Sequence, residues 1–462
     1  MKPIQGIAAL LLVGAGLVLL MKRTDPMSPA LARLSPLPPT PLDPTNRWAD
    51  DARAVRLGHW LFFDPSLSSD RSVSCATCHD PSLAFTDGKP LAETLGVGTR
   101  KTPTILNTAH SRWFFWDGRA DSLWAQATEP IENPLEMGMD RVALAHRMYA
   151  EGDLKEAYET LFGPLPQLRS GDRFPAHARP MPEDPEHAHA VAWDEMSEQD
   201  RESINRFYSN LGKALAAYER QLVRANAPFD RYVAALSAGD PDGGGHLSDS
   251  AVRGLDLFLG RGNCTTCHNG PTFSDLEFHN NQVPTADGRP PSDPGRFEGT
   301  RLVKANPFNA AGRFSDEDQG AAAARVRRLK TGSVGWGEFK TPSLRNLEGR
   351  APYFHAGQMP DLEAVLHFYS TLEGASGQSH HQENVLKPLD LSPRESADLL
   401  ALLESLEGQA LDPGGAQHHP GRDSSSTPEP PASSPTGDSS KGYNRPGTSL
   451  STKPSYGGTL DG

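Results

Sequence analysis

Two short strings of the sequence place cysteine and histidine at a spacing that can attach a cofactor. Both have the form C-x-x-C-H, with Cys75, Cys78 and His79 in the first string and Cys264, Cys267 and His268 in the second. This pattern is typical of c-type haem attachment, in which the histidine becomes a ligand of the iron. All four cysteines of the chain lie in these strings, so none remains for a disulfide. The sequence therefore predicts two covalently bound haems.

Two other uses of paired cysteines are the alternatives. Four thiolates can hold a structural zinc ion, but such a site does not need a histidine directly after each second cysteine. A C-x-x-C pair can also be a redox dithiol, which is typical of a pair beside a β-α-β pattern that this sequence lacks. Haem attachment is the interpretation that accounts for both histidines.

Net charge and length limit the partners and the organisation. The chain has 462 residues and a formal net charge of −13. This acidic balance argues against a nucleic-acid partner, because phosphates are bound by clusters of lysine and arginine. A chain of this length is expected to hold about two domains plus terminal extensions.

The N-terminus has the pattern of an export signal or a membrane anchor. An apolar run over residues 4–21 lies between Lys2 and Lys22-Arg23. Its length suits both the core of a signal peptide and a short membrane span, so both remain open for residues 1–23. Either one exports the protein to the periplasm or cell envelope, and an uncleaved segment would anchor it to the inner membrane.

Composition divides the rest of the chain into four parts. Residues 24–47 are rich in proline and predict a stiff linker. Residues 48–245 and 246–411 each contain one haem string and predict two haem domains. Residues 412–462 are mainly proline, glycine, serine and threonine. Such a segment cannot bury enough apolar surface to fold, which predicts a disordered tail.

Hydrophobic spacing within the two domains predicts helices. One stripe of residues three or four apart contains Leu211, Ala214, Leu215, Tyr218 and Leu222. Few segments alternate as strands do, and long stretches rich in proline and glycine indicate loops. The predicted fold class is mostly α with many long loops.

The surroundings of the two haem strings repeat one another. The matched segments are 61–62 with 257–258, 85–87 with 273–275, 102–107 with 341–346, and Phe115, Gly118 and Leu123 with Phe354, Gly357 and Leu362. Their shared order and spacing predict two cytochrome-c-like domains related by internal duplication.

The repeat also pairs Pro130 with Tyr369, seven residues after the matched leucines. If this position faces the distal side of each haem, tyrosine can ligate iron and proline cannot. The first haem would then have an open face and the second a closed one. The alternative is that Tyr369 is an ordinary core aromatic residue.

These motifs resemble the bacterial diheme cytochrome c peroxidase and MauG family. The resemblance covers about residues 56–406, and the segments that carry it are 61–79, 115–120, 130–137, 215–232, 262–275 and 339–358. It implies a mostly helical fold with a peroxidatic haem in the first domain and an electron-transfer haem in the second.

The resemblance also implies roles for individual residues. His79 and His268 match the proximal iron ligands. Glu136 matches the distal acid–base carboxylate and Gln126 a distal glutamine. Trp116 matches the tryptophan that lies between the haems.

Tyr369 matches the sixth-ligand position of the electron-transfer haem. Cytochrome c peroxidases usually have methionine there, whereas MauG-type proteins have tyrosine. Met359 and His367 are the competing ligands, but both lie off the family position.

The sequence departs from the family pattern in three ways. Residues 80–98 contain no histidine that could cap the first haem, so this haem is expected to be open. His110 is the nearest remaining candidate for a cap.

Lys101 stands where family members have an asparagine that helps to bind calcium, and Arg350 stands at a second calcium position. An ammonium group repels Ca²⁺, which makes calcium doubtful. The segments 164–193 and 288–330 are longer than the family minimum.

Three functions follow from these observations. The first is a peroxidase that reduces hydrogen peroxide with electrons from a small cytochrome c or cupredoxin. The second is a MauG-like oxidase that uses peroxide to oxidise a protein or small molecule. The third is a diheme electron carrier without catalysis, against which the expected open first haem argues.

Overall fold

The computed structural model describes most of the chain between the two termini. The described residues are 28–168, 173–285, 287, 292–332, 335–375 and 386–411. The predicted signal or anchor at 1–23 and the predicted tail at 412–462 lie outside them. The described residues contain no helix that is both long and apolar enough to cross a membrane.

Helices dominate the described residues, as the sequence predicts. The α-helices are α1 Pro29–Arg33, α2 Ala52–Phe63, α3 Cys75–Cys78, α4 Leu123–Glu132, α5 Arg141–Ala150, α6 Gly152–Phe162, α7 Ala188–Glu195, α8 Glu198–Glu219, α9 Pro228–Ser237, α10 Asp249–Leu259, α11 Arg296–Ala305, α12 Ala321–Arg328, α13 Leu362–Thr371 and α14 Pro393–Glu404. Five short 3-10 helices lie at Pro65–Leu67, Pro81–Leu83, Thr108–His110, Gly243–Gly245 and Cys264–Thr266.

The described residues also form one small antiparallel sheet. Its strands are β1 Phe278–His279 and β2 Phe339–Lys340, with Phe278 opposite Lys340. The mostly α fold class is therefore confirmed.

The first hydrophobic core forms around the crossing of α2 and α8. Asp51 and Ser197 cap the N-termini of these helices by accepting backbone N–H bonds. Gly58 permits the close approach of the helices, because a Cβ at this position would lie 1.9 Å from the Ala214 carbonyl oxygen. Helix α4 packs against α8 on the same core and carries residues of the candidate site.

The second core repeats this arrangement with α10 and α14. Ser248 and Ser392 cap the two helices, and Glu395 completes a capping box with Ser392. A Cβ at Gly254 would lie 2.0 Å from the Asp398 carbonyl oxygen, so the same kind of close crossing recurs. Leu31 and Leu34, from the segment predicted as a linker, are also buried in this core.

Backbone conformation confirms the internal duplication. Three matched pairs have left-handed φ angles: Phe85 and Phe273, Asn107 and Asn346, and Phe115 and Phe354. Asparagine tolerates this region, but it is uncommon for phenylalanine, so its recurrence at matched positions reflects a shared local fold. The side-chain amides of Asn107 and Asn346 both donate to the Arg224 carbonyl oxygen at 3.0 Å, which joins the two halves at one atom.

We predict that Gly58→Ala lowers the free energy of unfolding by about 1–3 kcal/mol or more, because the added methyl group overlaps the Ala214 carbonyl. Denaturant unfolding of the haem-loaded protein measures the change. Gly152→Ala is the matched control, since a Cβ at this helical glycine meets no atom within 4 Å. Equal stability of the two variants would contradict the proposed close crossing of α2 and α8.

Candidate functional site

A single large cavity is lined by residues of both haem strings. Its volume is about 1280 Å³, and its lining includes Cys78 and His79 from the first string and Cys264, Cys267 and His268 from the second. The volume exceeds that of common single-ligand pockets, which span roughly 300–1,000 Å³. It is therefore large enough to suit more than one cofactor.

Each histidine of the two strings is fixed through one ring nitrogen. The Nδ1 atom of His79 lies 3.1 Å from the Phe85 carbonyl oxygen, and that of His268 lies 2.9 Å from the Phe273 carbonyl oxygen. A carbonyl can only accept, so each ring donates from Nδ1 and keeps Nε2 for a metal. Burial lowers the pKa of both imidazoles, which favours the neutral form that a metal requires.

The four cysteines form no disulfide and lie beside these histidines in the sequence. Together with the neutral imidazoles and the size of the cavity, they fit a covalently attached haem at each string. The left-handed backbone at Phe85 and Phe273 turns the carbonyl that orients each histidine, so the repeat explains why both sites have the same local geometry.

Residues from α4 and the following loop also line the cavity. They are Gln126 and Pro130 on the helix and Glu136 in the loop. Glu136 accepts a hydrogen bond of 2.6 Å from the Asn133 side chain. Burial raises the pKa of Glu136, against the opposing effects of Arg119 and Asn133. A raised pKa brings a carboxyl group closer to the range in which it can both take up and release a proton.

The loop at 80–98, which contains no histidine, holds the Glu136 segment in place. The Thr94 hydroxyl lies 3.0 Å from the carbonyl oxygens of both Leu135 and Glu136. The Gly96 amide also donates to the Leu135 carbonyl at 3.0 Å. His110, the other candidate cap, lies in a 3-10 helix and is not among the residues that line the cavity.

Tyr369 lines the same cavity near the second string. Its hydroxyl accepts a hydrogen bond of 3.1 Å from the Asn281 side chain, and burial raises its pKa to about 12. The competing residues Met359 and His367 do not line the cavity. His367 is exposed and lies 3.4 Å from Glu373.

Trp116 lies where the two halves of the chain meet. Its indole Nε1 donates to the Lys101 carbonyl at 2.9 Å, and its own carbonyl accepts from the Lys340 amide at 2.8 Å. The Lys101 amide in turn donates to the His355 carbonyl at 2.8 Å. The Trp116 ring is therefore bonded within its own half, its main chain is bonded to the other half, and the residue lines the shared cavity.

Sequence reasoning missed His355, although the repeat could have identified it. Trp116 and His355 each stand nine residues after the matched asparagines Asn107 and Asn346. Their rings contact one another with centroids 6.5 Å apart. His355 also stacks on Phe339 at 3.7 Å, and burial lowers its pKa to about 4.

Arg119 is a second residue that the sequence analysis did not single out. It lines the cavity, lies 3.4 Å from the centre of the Phe115 ring and pairs with Glu129 at 2.7 Å. Burial raises the pKa of Glu129 to about 7 although Arg119 opposes this shift. Arg119 also lowers the pKa of Glu136, so it supplies positive charge on the side of the cavity where Glu136 lies.

Lys101 and Arg350 occupy the positions at which the resemblance places calcium. Lys101 is 5% exposed, and its ammonium group donates to the Lys89 carbonyl at 3.2 Å. Arg350 is 8% exposed, and burial lowers its pKa to about 10. Two buried cationic side chains therefore stand at these positions.

Comparison with known proteins identifies similar chains. A family model described as di-haem cytochrome c peroxidase matches residues 52–237. The methylamine utilization protein MauG of Methylorubrum extorquens is 35% identical over 359 residues, which cover 77% of this chain and 78% of the relative. The cytochrome c551 peroxidase of Pseudomonas aeruginosa is 28% identical and covers 76% of this chain and 78% of the relative.

A solved structure has a similar fold. The diheme peroxidase BthA of Burkholderia thailandensis superposes with a TM-score of 0.57 at 22% identity. The match covers 79% of this chain and 88% of that structure.

The buried ring of His355 predicts a pH dependence of stability. Its pKa is about 4 in the folded chain, below the usual value near 6.5. Between these values the unfolded chain binds more protons at this ring, so stability falls as the pH is lowered, by at most about 1.4 kcal/mol per pH unit.

We expect His355→Phe, which retains an aromatic ring against Phe339, to reduce the stability lost between pH 7 and pH 5 by about 1–2 kcal/mol. Denaturant unfolding at the two pH values measures this difference. His246→Phe, at an exposed position, is the control. If His355→Phe and the unmodified protein lose equal stability, His355 is not buried in its neutral form.

Proposed function

We propose that the two haem strings have different roles, because the chain belongs to the bacterial di-haem cytochrome c peroxidase and MauG family. It is thus a peroxide-using oxidoreductase with two c-type haems. Hydrogen peroxide reacts at the haem attached to Cys75 and Cys78. Electrons reach it through the haem attached to Cys264 and Cys267. When bound, the first haem supplies the iron at which peroxide is reduced to water.

The observation that carries this proposal is the unequal lining of the cavity. Gln126, Pro130 and Glu136 line it, and proline offers no side-chain ligand. The Glu136 charge acts on the Cys78 thiol of the first string. Tyr369 also lines the cavity, interacts electrostatically with Cys267 of the second string, and has an oxygen that can ligate iron. This difference supports an open distal face at the first haem and a closed one at the second.

Glu136 is the proposed acid–base group. Cleavage of the O–O bond to water requires a proton to move from one peroxide oxygen to the other. A carboxylate can accept that proton and then donate it, and such a group contributes about 10²–10⁴-fold to a rate. The hydrogen bond from Asn133 and the bonds from Thr94 to the neighbouring carbonyls hold the carboxyl group in position.

Gln126 and Trp116 complete the proposed set. Gln126 lies on α4, one turn before Pro130, and can orient peroxide through its amide. Trp116 has an oxidisable ring, and backbone from both halves fixes it at their junction. It is therefore suited to carry electrons between the haems.

A MauG-like oxidation is the second candidate function. A phenolate ligand stabilises more oxidised states of a haem than methionine does. Tyr369 lines the cavity, whereas Met359 does not. The second haem could then store oxidising equivalents and withdraw electrons from a protein or small-molecule substrate. In the peroxidase function the electrons come instead from a small cytochrome c or cupredoxin.

We further propose that the junction does not need calcium. The ammonium group of Lys101 is buried there, and Ca²⁺ requires oxygen ligands rather than a neighbouring cation. Its hydrogen bond to the Lys89 carbonyl supports a structural role for the side chain.

The two cores support two haem domains, as proposed for 48–245 and 246–411. They favour an earlier boundary, before residue 228, because helix α9 packs in the second core. Export to the periplasm or cell envelope is supported by the apolar run at 4–21, and covalent haem attachment agrees with it.

We predict that Glu136→Gln retains both haems but slows the reaction with hydrogen peroxide by about 10²–10⁴-fold, because the amide cannot relay the proton. Stopped-flow absorbance of the haem bands measures the rate. Glu93→Gln is the control, since Glu93 is an exposed carboxylate in the loop that contacts the Glu136 segment. An unchanged rate in Glu136→Gln would remove its assigned role.

Tyr369→Phe is predicted to change the electron paramagnetic resonance signal of one haem and leave the other unaltered, because it removes a ligand from the second iron only. Tyr353→Phe serves as the control. Tyr353 also lines the cavity, but its hydroxyl donates a hydrogen bond of 3.0 Å to the Leu347 carbonyl. Unaltered signals of both haems in Tyr369→Phe would identify this residue as a packing residue.

A further inference from the structure

A second cluster of metal-ligating side chains lies in the first half of the chain, outside the haem cavity. Asp140, His177 and His189 each offer one oxygen or nitrogen atom, and these atoms lie within 4.8 Å of one another. None of the three residues lines the haem cavity. Neither the family resemblance nor the proposed function uses them.

Asp140 is fixed before any ligand binds. It caps α5, and its Oδ1 atom accepts the backbone amides of Ala143 at 2.8 Å and Ala178 at 3.0 Å. Asp140 is only 4% exposed, so the direction of its carboxylate is set by these bonds. The remaining Oδ2 atom accepts from His177 Nδ1 at 2.7 Å and points to the cluster.

The two histidines come from separate segments that backbone bonds hold together. His189 lies in the first turn of α7, and its amide donates to the ring of His187, which caps that helix. Its carbonyl accepts from the Arg179 amide at 3.3 Å. The rings of His177 and His189 are nearly parallel, at 8°, with centroids 5.3 Å apart.

We propose that Asp140, His177 and His189 bind a divalent transition-metal ion of the zinc type, with water completing the coordination. Two imidazoles and one carboxylate with an open position are a common ligand set for Zn²⁺. A metal binds histidine in its neutral form.

The geometry needs only a small adjustment to hold the ion. Zinc bonds of about 2.0–2.2 Å place the ligands of a tetrahedron roughly 3.4 Å apart. The His177 side chain is 60% exposed, so its ring can rotate from its hydrogen bond with Asp140 and admit an ion from solvent. The neighbouring Arg141 is engaged with Glu132 at 2.6 Å, so its charge is already paired.

The ion would join three segments of the first half: the start of α5, the loop at 173–187 and the start of α7. Asp140 stands four residues after Glu136. A bound ion would therefore stabilise the C-terminal end of the loop that carries the proposed acid–base group. The loop at 173–187 belongs to the segment 164–193, which the sequence analysis identifies as longer than the family minimum.

Equilibrium dialysis of the haem-loaded full chain against Zn²⁺ tests the proposal, with bound zinc measured by mass spectrometry. We expect His177→Gln and His189→Gln each to bind one equivalent fewer than the unmodified protein, or to bind it at least 10-fold more weakly. The matched control is His367→Gln, because His367 also lies beside a carboxylate but has no third ligand in the described residues. The control is expected to retain the unmodified stoichiometry.

Thermal unfolding gives a second readout that does not depend on activity. Zinc binds the folded state and should raise the unfolding midpoint of the unmodified protein and of His367→Gln, but raise that of His177→Gln less. Equal zinc stoichiometry, affinity and midpoint shift in all variants would overturn the proposal. The Asp140–His177 contact would then be only a hydrogen-bonded pair at a helix cap.

Discussion

The structure depends on a symmetric exchange of backbone hydrogen bonds at the junction of its two halves. The Lys101 amide donates to the His355 carbonyl, and the Lys340 amide donates to the Trp116 carbonyl, each at 2.8 Å. Lys101 and Lys340 are matched positions of the repeat, six residues before the matched asparagines. Because both bonds use main-chain atoms, they do not depend on the side chains of either half. They hold the two halves together, so that both haem strings line the same cavity.

The shared Arg224 carbonyl reinforces this junction. A carbonyl oxygen has two lone pairs and can accept from both Asn107 and Asn346. Each asparagine also accepts a backbone amide, from Arg224 in one half and Gly408 in the other. The left-handed backbone at both positions suits asparagine, which visits this region more readily than most residues.

Function arises where side chains break this symmetry. Trp116 and His355 are matched and in contact, yet only the indole is readily oxidised. Pro130 and Tyr369 are matched as well, and only the phenol can ligate iron. In the proposed function, the common backbone supplies two equivalent positions for haem, and a few different side chains suit one position to peroxide and the other to electron transfer. A fold alone does not specify that division.

The sequence predicted the features that rest on local spacing. The C-x-x-C-H strings, the helical stripes and the repeat needed only residues close in the chain. The contact between Trp116 and His355 was missed because it joins positions that are far apart in sequence, although the repeat marks them as equivalent.

The cluster of Asp140, His177 and His189 was missed for the same reason, since three separate segments form it. Burial of Leu31 and Leu34 depends on the second core and was also not visible in the proline-rich composition around them.

The central claim is that one haem has an open distal face and the other is closed by Tyr369. Resonance Raman spectroscopy of the ferric protein tests it most directly, because the marker bands report the coordination number of each iron and the phenolate modes report a tyrosine ligand. The account predicts one five-coordinate haem and one six-coordinate haem with phenolate modes. Two six-coordinate haems without phenolate modes would contradict it and would favour a diheme electron carrier.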